Sequence, residues 1–439
     1  LSPSRLALSS LLFIFYCWIL LEGVVRKWIL PNYTDSIYFV KYFLAILILI
    51  RVSDFKHVIP ISLTLKHSCI AFLLFCILSV AYVGILNSPI VGLLGFMSYF
   101  AFVPLAIAVP LVLNTTHKIE KLLIVSAIIS MAISILGIVQ YYSTPDSWIN
   151  KYATNENASI DTAGTLDNQV VRVSTVFSYH SGNATYVLIA FVLMFPLLFT
   201  YFKSLQLKLF IYLAFCLNVI SLFMTGSRAA VVLAAIIGAV FILCSIKSIS
   251  QNKNAISAFL ATILIILSTL YLTDTGSKSF NSWDSRFQEG AKNNEYASRA
   301  NDLLNELQEV VFNNPGGLLG YGIGVYQNGA SRFNRQNNLP GAEDQAHRIG
   351  LELGPIGLLL WYSFTLTIWL FICNVYVKTQ HALLKNLTLI IAIYAFWGPA
   401  LFRQIQINWV DNLIWWSCLG LVIAIQQIES SIAFSNENN

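Results

Sequence analysis

Apolar runs of roughly 18 residues or more recur from one end of the chain to the other, and no other feature restricts the fold as much. A run of that length spans the hydrocarbon core of a bilayer as an α-helix. The period-two alternation of transmembrane strands is absent, which excludes a β-barrel. The chain therefore reads as an all-α polytopic membrane protein with about 12 transmembrane helices and a large exterior (periplasmic) loop containing short helices. Composition agrees. Of 439 residues, 57% are hydrophobic and 11% charged, where a soluble domain carries about 25% charge.

The spans are expected near 6–21, 36–52, 67–86, 89–113, 121–142, 176–201, 206–224, 229–247, 255–272, 349–377, 385–402 and 410–428. The first run is followed by Glu22-Gly-Val-Val-Arg26-Lys27-Trp28 and not by a small-residue cleavage site, so it reads as a span and not a leader. The seven cysteines all lie in apolar runs, which fits packing residues rather than disulfides or metal ligands.

An even number of spans puts both termini on one side. Lys56, Lys66, Lys118, Lys121, Lys203, Lys208, Lys247, Lys253, Lys378 and Lys385 fall on that side with Arg5. The positive-inside rule makes it the cytoplasm. The expected organisation is nine spans over 1–272 with an exterior loop at 143–175, a large exterior loop at 273–348, and three spans with a short cytoplasmic tail over 349–439. Residues 294–312 read as a surface helix with Leu303, Leu304, Leu307, Val310 and Val311 on one face.

Nine of the eleven arginines fall on the exterior side in this topology: Arg26, Arg172, Arg228, Arg286, Arg299, Arg332, Arg335, Arg348 and Arg403. Topogenesis disfavours them there, so another cause is needed. A guanidinium grips phosphate oxygens in a bidentate fork that lysine cannot imitate. Several at span ends would clamp an anionic ligand such as a diphosphate, with Arg172, Arg228 and Arg299 the first candidates and the backbone N–H groups beside Arg228 adding to the site. Each arginine also has an ordinary reading, in a local ion pair or snorkelling to headgroups. Arg332 and Arg335 read as solvated loop residues.

Four stretches carry a family likeness. They are Arg172-Val-Ser-Thr-Val-Phe-Ser-Tyr-His180-Ser-Gly-Asn183 at a span entrance, and Thr225-Gly-Ser-Arg228-Ala-Ala at a span start. The third is an arginine-bearing exterior helix followed by Asn314-Pro315 and Gly320-Tyr-Gly322-Ile-Gly324. The last is Gly341-Ala-Glu343-Asp-Gln-Ala-His347-Arg348, running on to Gly354-Pro-Ile-Gly357. In this order they resemble the O-antigen ligase and Wzy-type polysaccharide polymerase superfamily, over roughly residues 170–361. The likeness implies an enzyme: an inverting, metal-independent glycosyltransferase without cofactor. It would polymerise polyprenyl-diphosphate-linked oligosaccharide repeat units on the outer face of a bacterial inner membrane. A ligase passing the glycan to lipid A core or protein is the alternative, and a transporter of lipid-linked glycan a further one. Its partners would be the lipid-linked donor, a glycan acceptor and the bilayer, with no nucleic acid; a chain-length regulator is left open.

With Gly354 and Gly357 aligned on the family's two glycines, Glu343 takes the position of the motif histidine and His347 lies about one helical turn on. Either could be the catalytic base, and the spacing fits Glu343 better. That departure points toward the polymerase-like branch. Arg172, Arg228, Arg299, Arg286, Arg348 and Arg403 are then expected to bind the diphosphate. His180, Asn183, Tyr321 and Tyr326 are expected to line the substrate site, although polar residues at a span mouth are as often structural. Glu352 reads as a cap or arginine partner, Lys41 as a snorkelling residue, and Trp361, Trp397, Trp409, Trp415 and Trp416 as an interfacial belt.

Overall fold

The computed structural model describes residues 3–55, 62–153, 162–163, 170–199, 204–251, 264, 268, 271–327, 330–334, 339–342, 345–397 and 408–437. Among these residues, ten helical segments are long and apolar enough to cross a membrane, and Ala382–Trp397 is a shorter apolar helix. The protein is an all-α polytopic membrane protein. The expected span at 255–272 falls largely outside the described residues; each of the others has its helix.

Six helices make up the first half: α1 (Pro3–Val24), α2 (Thr34–Ser53), α3 (Leu63–Leu86), α4 (Pro89–Phe100), α5 (Val103–Val112) and α6 (Thr116–Tyr142). The fourth span is thus two helices where one was expected. Pro104 sits in the first turn of α5, where its missing N–H is harmless to α5 and prevents α4 from running through. Then come α7 (His180–Leu198), α8 (Leu205–Met224) and α9 (Arg228–Gln251), with two-residue strands Thr162–Ala163 and Val170–Val171 paired antiparallel before α7.

The 273–348 segment carries more structure than one surface helix. It begins with α10 (Asp274–Lys292), which the sequence reading missed, and continues into α11 (Glu295–Phe312). Asn294 joins them in the left-handed region at φ 54°, a conformation asparagine tolerates better than most residues. Phe280, Trp283 and Phe287 repeat at helical spacing along α10, and the first two lie edge-on to Phe223 of α8, each with ring centroids 5.6 Å away. That stripe is the signal that would have revealed α10. On α11 the expected single apolar face is split: Val310 is buried while Leu304 and Val311 are exposed.

The chain ends with α12 (Gln345–Lys378), α13 (Ala382–Trp397) and α14 (Trp409–Glu437). Gly354 breaks α12 with φ 69° and ψ 179°, and Pro355 follows. A Cβ on Gly354 would lie 2.1 Å from the Leu318 carbonyl oxygen, so only glycine fits. The loop Gly320–Val325 is threaded against this kink. Tyr321 N–H donates to the Leu351 carbonyl at 2.8 Å and Gly322 N–H to the Glu352 carbonyl at 2.9 Å. On the loop's other side, a Cβ on Gly324 would meet the Val91 carbonyl oxygen at 2.2 Å. Non-helical backbone at the edge of a membrane bundle persists only when enclosed by protein in this way.

Two expectations about polar and aromatic residues are overturned. Lys41 does not snorkel. It is fully buried, with its Nζ 3.0 and 3.1 Å from the two carboxylate oxygens of Glu22 and over the Tyr38 ring at 3.3 Å. An ion pair reachable within the protein holds the ammonium there more effectively than a distant interface. Nor do Trp361, Trp415 and Trp416 form a belt: all three are buried. Trp361 packs on Phe72 and Tyr99, and Trp416 Nε1–H donates to the Tyr99 carbonyl at 3.2 Å.

Candidate functional site

One end of the bundle gathers the ends of α6 and α8, the starts of α7, α9 and α12, and described residues of the segments that adjoin them. Tyr141 and Tyr142, at the end of α6, donate hydroxyls to the Lys278 carbonyl and to Thr275 Oγ1 of α10, at 3.3 and 3.2 Å. Val173 N–H reaches the Met224 carbonyl at the end of α8.

Three predicted arginines from distant segments converge on the turn Thr225-Gly226-Ser227. Arg172 Nε donates to the Thr225 carbonyl at 3.3 Å, and Arg286 Nη1 to the Gly226 carbonyl at 2.7 Å. Arg228 Nη1 donates to the Arg286 carbonyl at 3.4 Å and pairs with Glu295 Oε2 of α11 at 2.7 Å. All three side chains are partly exposed. The backbone contribution is smaller than the sequence suggests: Thr225 Oγ1 already accepts the Ser227 N–H and Ser227 Oγ the Ala230 N–H.

The loop that delivers Arg172 is held under strain. Thr175, fully buried and β-branched, has φ 47°, a conformation that costs roughly 1–3 kcal/mol and persists only where surroundings enforce it. They do so on every side. Gln140 Oε1 accepts the Thr175 N–H at 2.8 Å, Asn183 Oδ1 accepts its hydroxyl at 2.7 Å, and Lys27 Nζ donates to its carbonyl. Arg26, in a π-helical turn after α1, adds bonds to Ser178 Oγ at 2.8 Å and to the Ala153 carbonyl at 3.4 Å. Asn183 also donates to the Val173 carbonyl at 3.0 Å, so its amide braces this loop. His180 is buried against Tyr179 and Tyr152, and Tyr152 donates its hydroxyl to the Arg172 carbonyl at 2.9 Å.

The start of α12 carries the second part of the site. Glu343 lies outside the described residues, as do Asp344, Arg335 and Arg403; of Arg299 only the backbone is described. His347 is 4% exposed, and its Nδ1 lies 3.0 Å from Glu306 Oε2 of α11. Neither ring nitrogen has a hydrogen bond of standard geometry. Carboxylate-to-imidazole approach is how a base is oriented, and such contacts often tighten only with substrate bound. Glu306 was missed because nothing local in the sequence ties it to His347.

Arg348 and the two tyrosines are engaged in holding the glycine loop. Arg348 donates to the Tyr326 carbonyl at 3.1 Å and the Ala342 carbonyl at 2.9 Å, and covers the Tyr326 ring at 5.7 Å. Tyr326 donates its hydroxyl to the Pro340 carbonyl at 2.8 Å, and burial pushes its phenol pKa up from the ordinary value. Glu352 is fully buried and accepts the Tyr326 N–H at 3.0 Å and the Tyr99 hydroxyl at 3.4 Å, the bracing role that suits it best. Arg332 is in an exposed ion pair with Asp35 at 3.0 Å.

α11 joins the two parts. Glu295 touches Arg228 and Glu306 touches His347. Eleven residues of helix separate the two carboxylates by about 16 Å along the axis and leave them on nearly the same side; position 299 lies between them on that side. Among the described residues no group of three His, Cys, Asp or Glu side chains could hold a metal ion. No protein-family model matches this chain, and no curated protein matches it. Its likeness to the O-antigen ligase and polymerase superfamily rests on the motifs quoted above.

Proposed function

We propose that the protein is a membrane glycosyltransferase that polymerises polyprenyl-diphosphate-linked oligosaccharide repeat units. The reaction would take place on the outer face of a bacterial inner membrane, with both termini cytoplasmic. The observation that carries this reading is the meeting of Arg172, Arg228 and Arg286 at one turn. Guanidinium groups held by backbone carbonyls are preorganised for the charge that builds on a departing diphosphate. The acceptor hydroxyl must lose a proton as it attacks the anomeric carbon. His347, oriented by Glu306, or Glu343 four residues before it in the sequence, takes that proton. Displacement in this sense inverts the anomeric centre.

Binding of a fluorescent polyprenyl diphosphate to detergent-solubilised protein tests the reading. Arg172→Gln and Arg228→Gln should each weaken binding roughly tenfold or more, the worth of one charge-assisted hydrogen bond. Unchanged affinity in both would remove the arginine site. A transporter of the same lipid is the second reading, favoured by the buried Glu22–Lys41 pair, since ionisable groups deep in spans often mark transport paths. Lipid flipping by proteoliposomes without any product would select it.

A further inference from the structure

The apolar surface of α11 is wider than its contact with the bundle. Val310 and Leu307 lie on the bundle side, with Val310 so close to Gly350 of α12 that a Cβ there would come within 1.9 Å. Next to this side, Leu304 is 66% exposed, Val311 44% and Phe312 77%. At about 3.6 residues per turn, the positions interleaved with them are Ala297, Asn301, Asn305 and Gln308, none of them charged. The five charged positions, Glu295, Arg299, Asp302, Glu306 and Glu309, all fall within about 80° on the remaining side, where Arg228 and His347 are met.

A helix lying on a protein in water turns charged and polar residues to its whole outer surface; on α11 the charges, with Asp302 and Glu309 exposed, hold one flank of that surface and leave the other apolar. Nor does the exposed apolar side end with the helix. Leu318 is 68% exposed and Leu319 43%. The Leu318 carbonyl touches Gly354 at the kink of α12. Just beyond that kink, Ile356 and Leu359 are exposed on a helix of membrane length. The outer side of α11 is thus continuous with a surface that faces lipid.

We propose that this side of α11, with Leu318 and Leu319, is a bilayer contact, and that α11 lies in the membrane–water interface with acyl chains covering Leu304, Val311 and Phe312. Interfacial helices commonly take basic residues on their polar side to engage anionic lipid. Here that side is mainly acidic, so the seat depends on apolar contact and holds on uncharged lipid.

Photo-crosslinking in phosphatidylcholine proteoliposomes tests this. Benzoylphenylalanine is placed singly at 304, 312, 302 and 309 of the full chain, and adducts are read by mass spectrometry. All four positions are exposed, and elution volume in size-exclusion chromatography checks each fold. The expected result is lipid adducts at 304 and 312 several-fold above those at 302 and 309. Equal yields at all four positions would overturn the proposal. So would a crosslinked dimer through 312, which would assign this side to a second copy of the chain.

Discussion

Two groups of cations sit at the same end of the bundle and differ in how they are held. Arg26, Lys27 and Lys41 are buried, and their bonds run to Glu22, to Ser174 and Ser178, and to the carbonyls of Ala153 and Thr175. Arg172, Arg228 and Arg286 are partly exposed; Arg172 and Arg286 donate to the carbonyls of one turn, and Arg228, just after that turn, donates to the Arg286 carbonyl and meets a carboxylate from an amphipathic surface helix. The first group closes the structure and fastens the strained loop that carries Arg172. The second presents donors at a surface. Exposure and the nature of the acceptors, more than charge, separate a brace from a binding site.

The comparison breaks if the first group can be dispensed with. Lys41→Met leaves the buried Glu22 carboxylate with the Arg26 guanidinium 3.2 Å away but without its ammonium, with an expected cost of about 3 kcal/mol, the low end for breaking a buried pair. It should appear as a large fall in the unfolding temperature of the solubilised protein, or as failure to accumulate. A variant as stable as wild type would mean that the cluster is no brace. Glu306→Gln sharpens the other side. The amide keeps the shape and loses the charge that orients His347, so glycosyl transfer should slow by about tenfold, less than the roughly 10²–10⁴-fold that a positioned acid–base group itself supplies because Glu306 acts only through His347, while stability is retained. An unchanged rate would free His347 from Glu306. The smallest effect belongs to Arg332→Ala. Its exposed pair with Asp35 is worth roughly 0–1 kcal/mol, and neither melting nor transfer should move measurably.

The spans were legible because roughly 18 apolar residues have few alternatives to a membrane helix. Direction within a span was not legible: Lys41 and Trp361 sit in runs that are apolar all round, so their turn toward Glu22 and Phe72 emerges only with the packed bundle. Arg172, Arg228 and Arg286 could be picked out by residue type and expected side, although their meeting at one turn depends on α8, α9 and α10 together. α10 was missed because its polar residues mask the spacing of Phe280, Trp283 and Phe287. Gly354, Pro355 and Gly357 are residue types that mark a place where a helix can break, whereas the use of that break as a seat for Gly320 and Gly322 has no local signal.

The central claim is that the three arginines serve a reaction at a lipid diphosphate. Its most direct test is product length on a gel after incubation of purified protein with a lipid-diphosphate-linked repeat unit, for wild type and Arg228→Gln. The account predicts a ladder from wild type and a rate lower by roughly 10²-fold in the variant, the scale of losing one charge-stabilising donor, with an unchanged unfolding temperature. A variant that polymerises at the wild-type rate, or a wild type that uses no donor with either a lipid-linked or a lipid A-core acceptor, would contradict it.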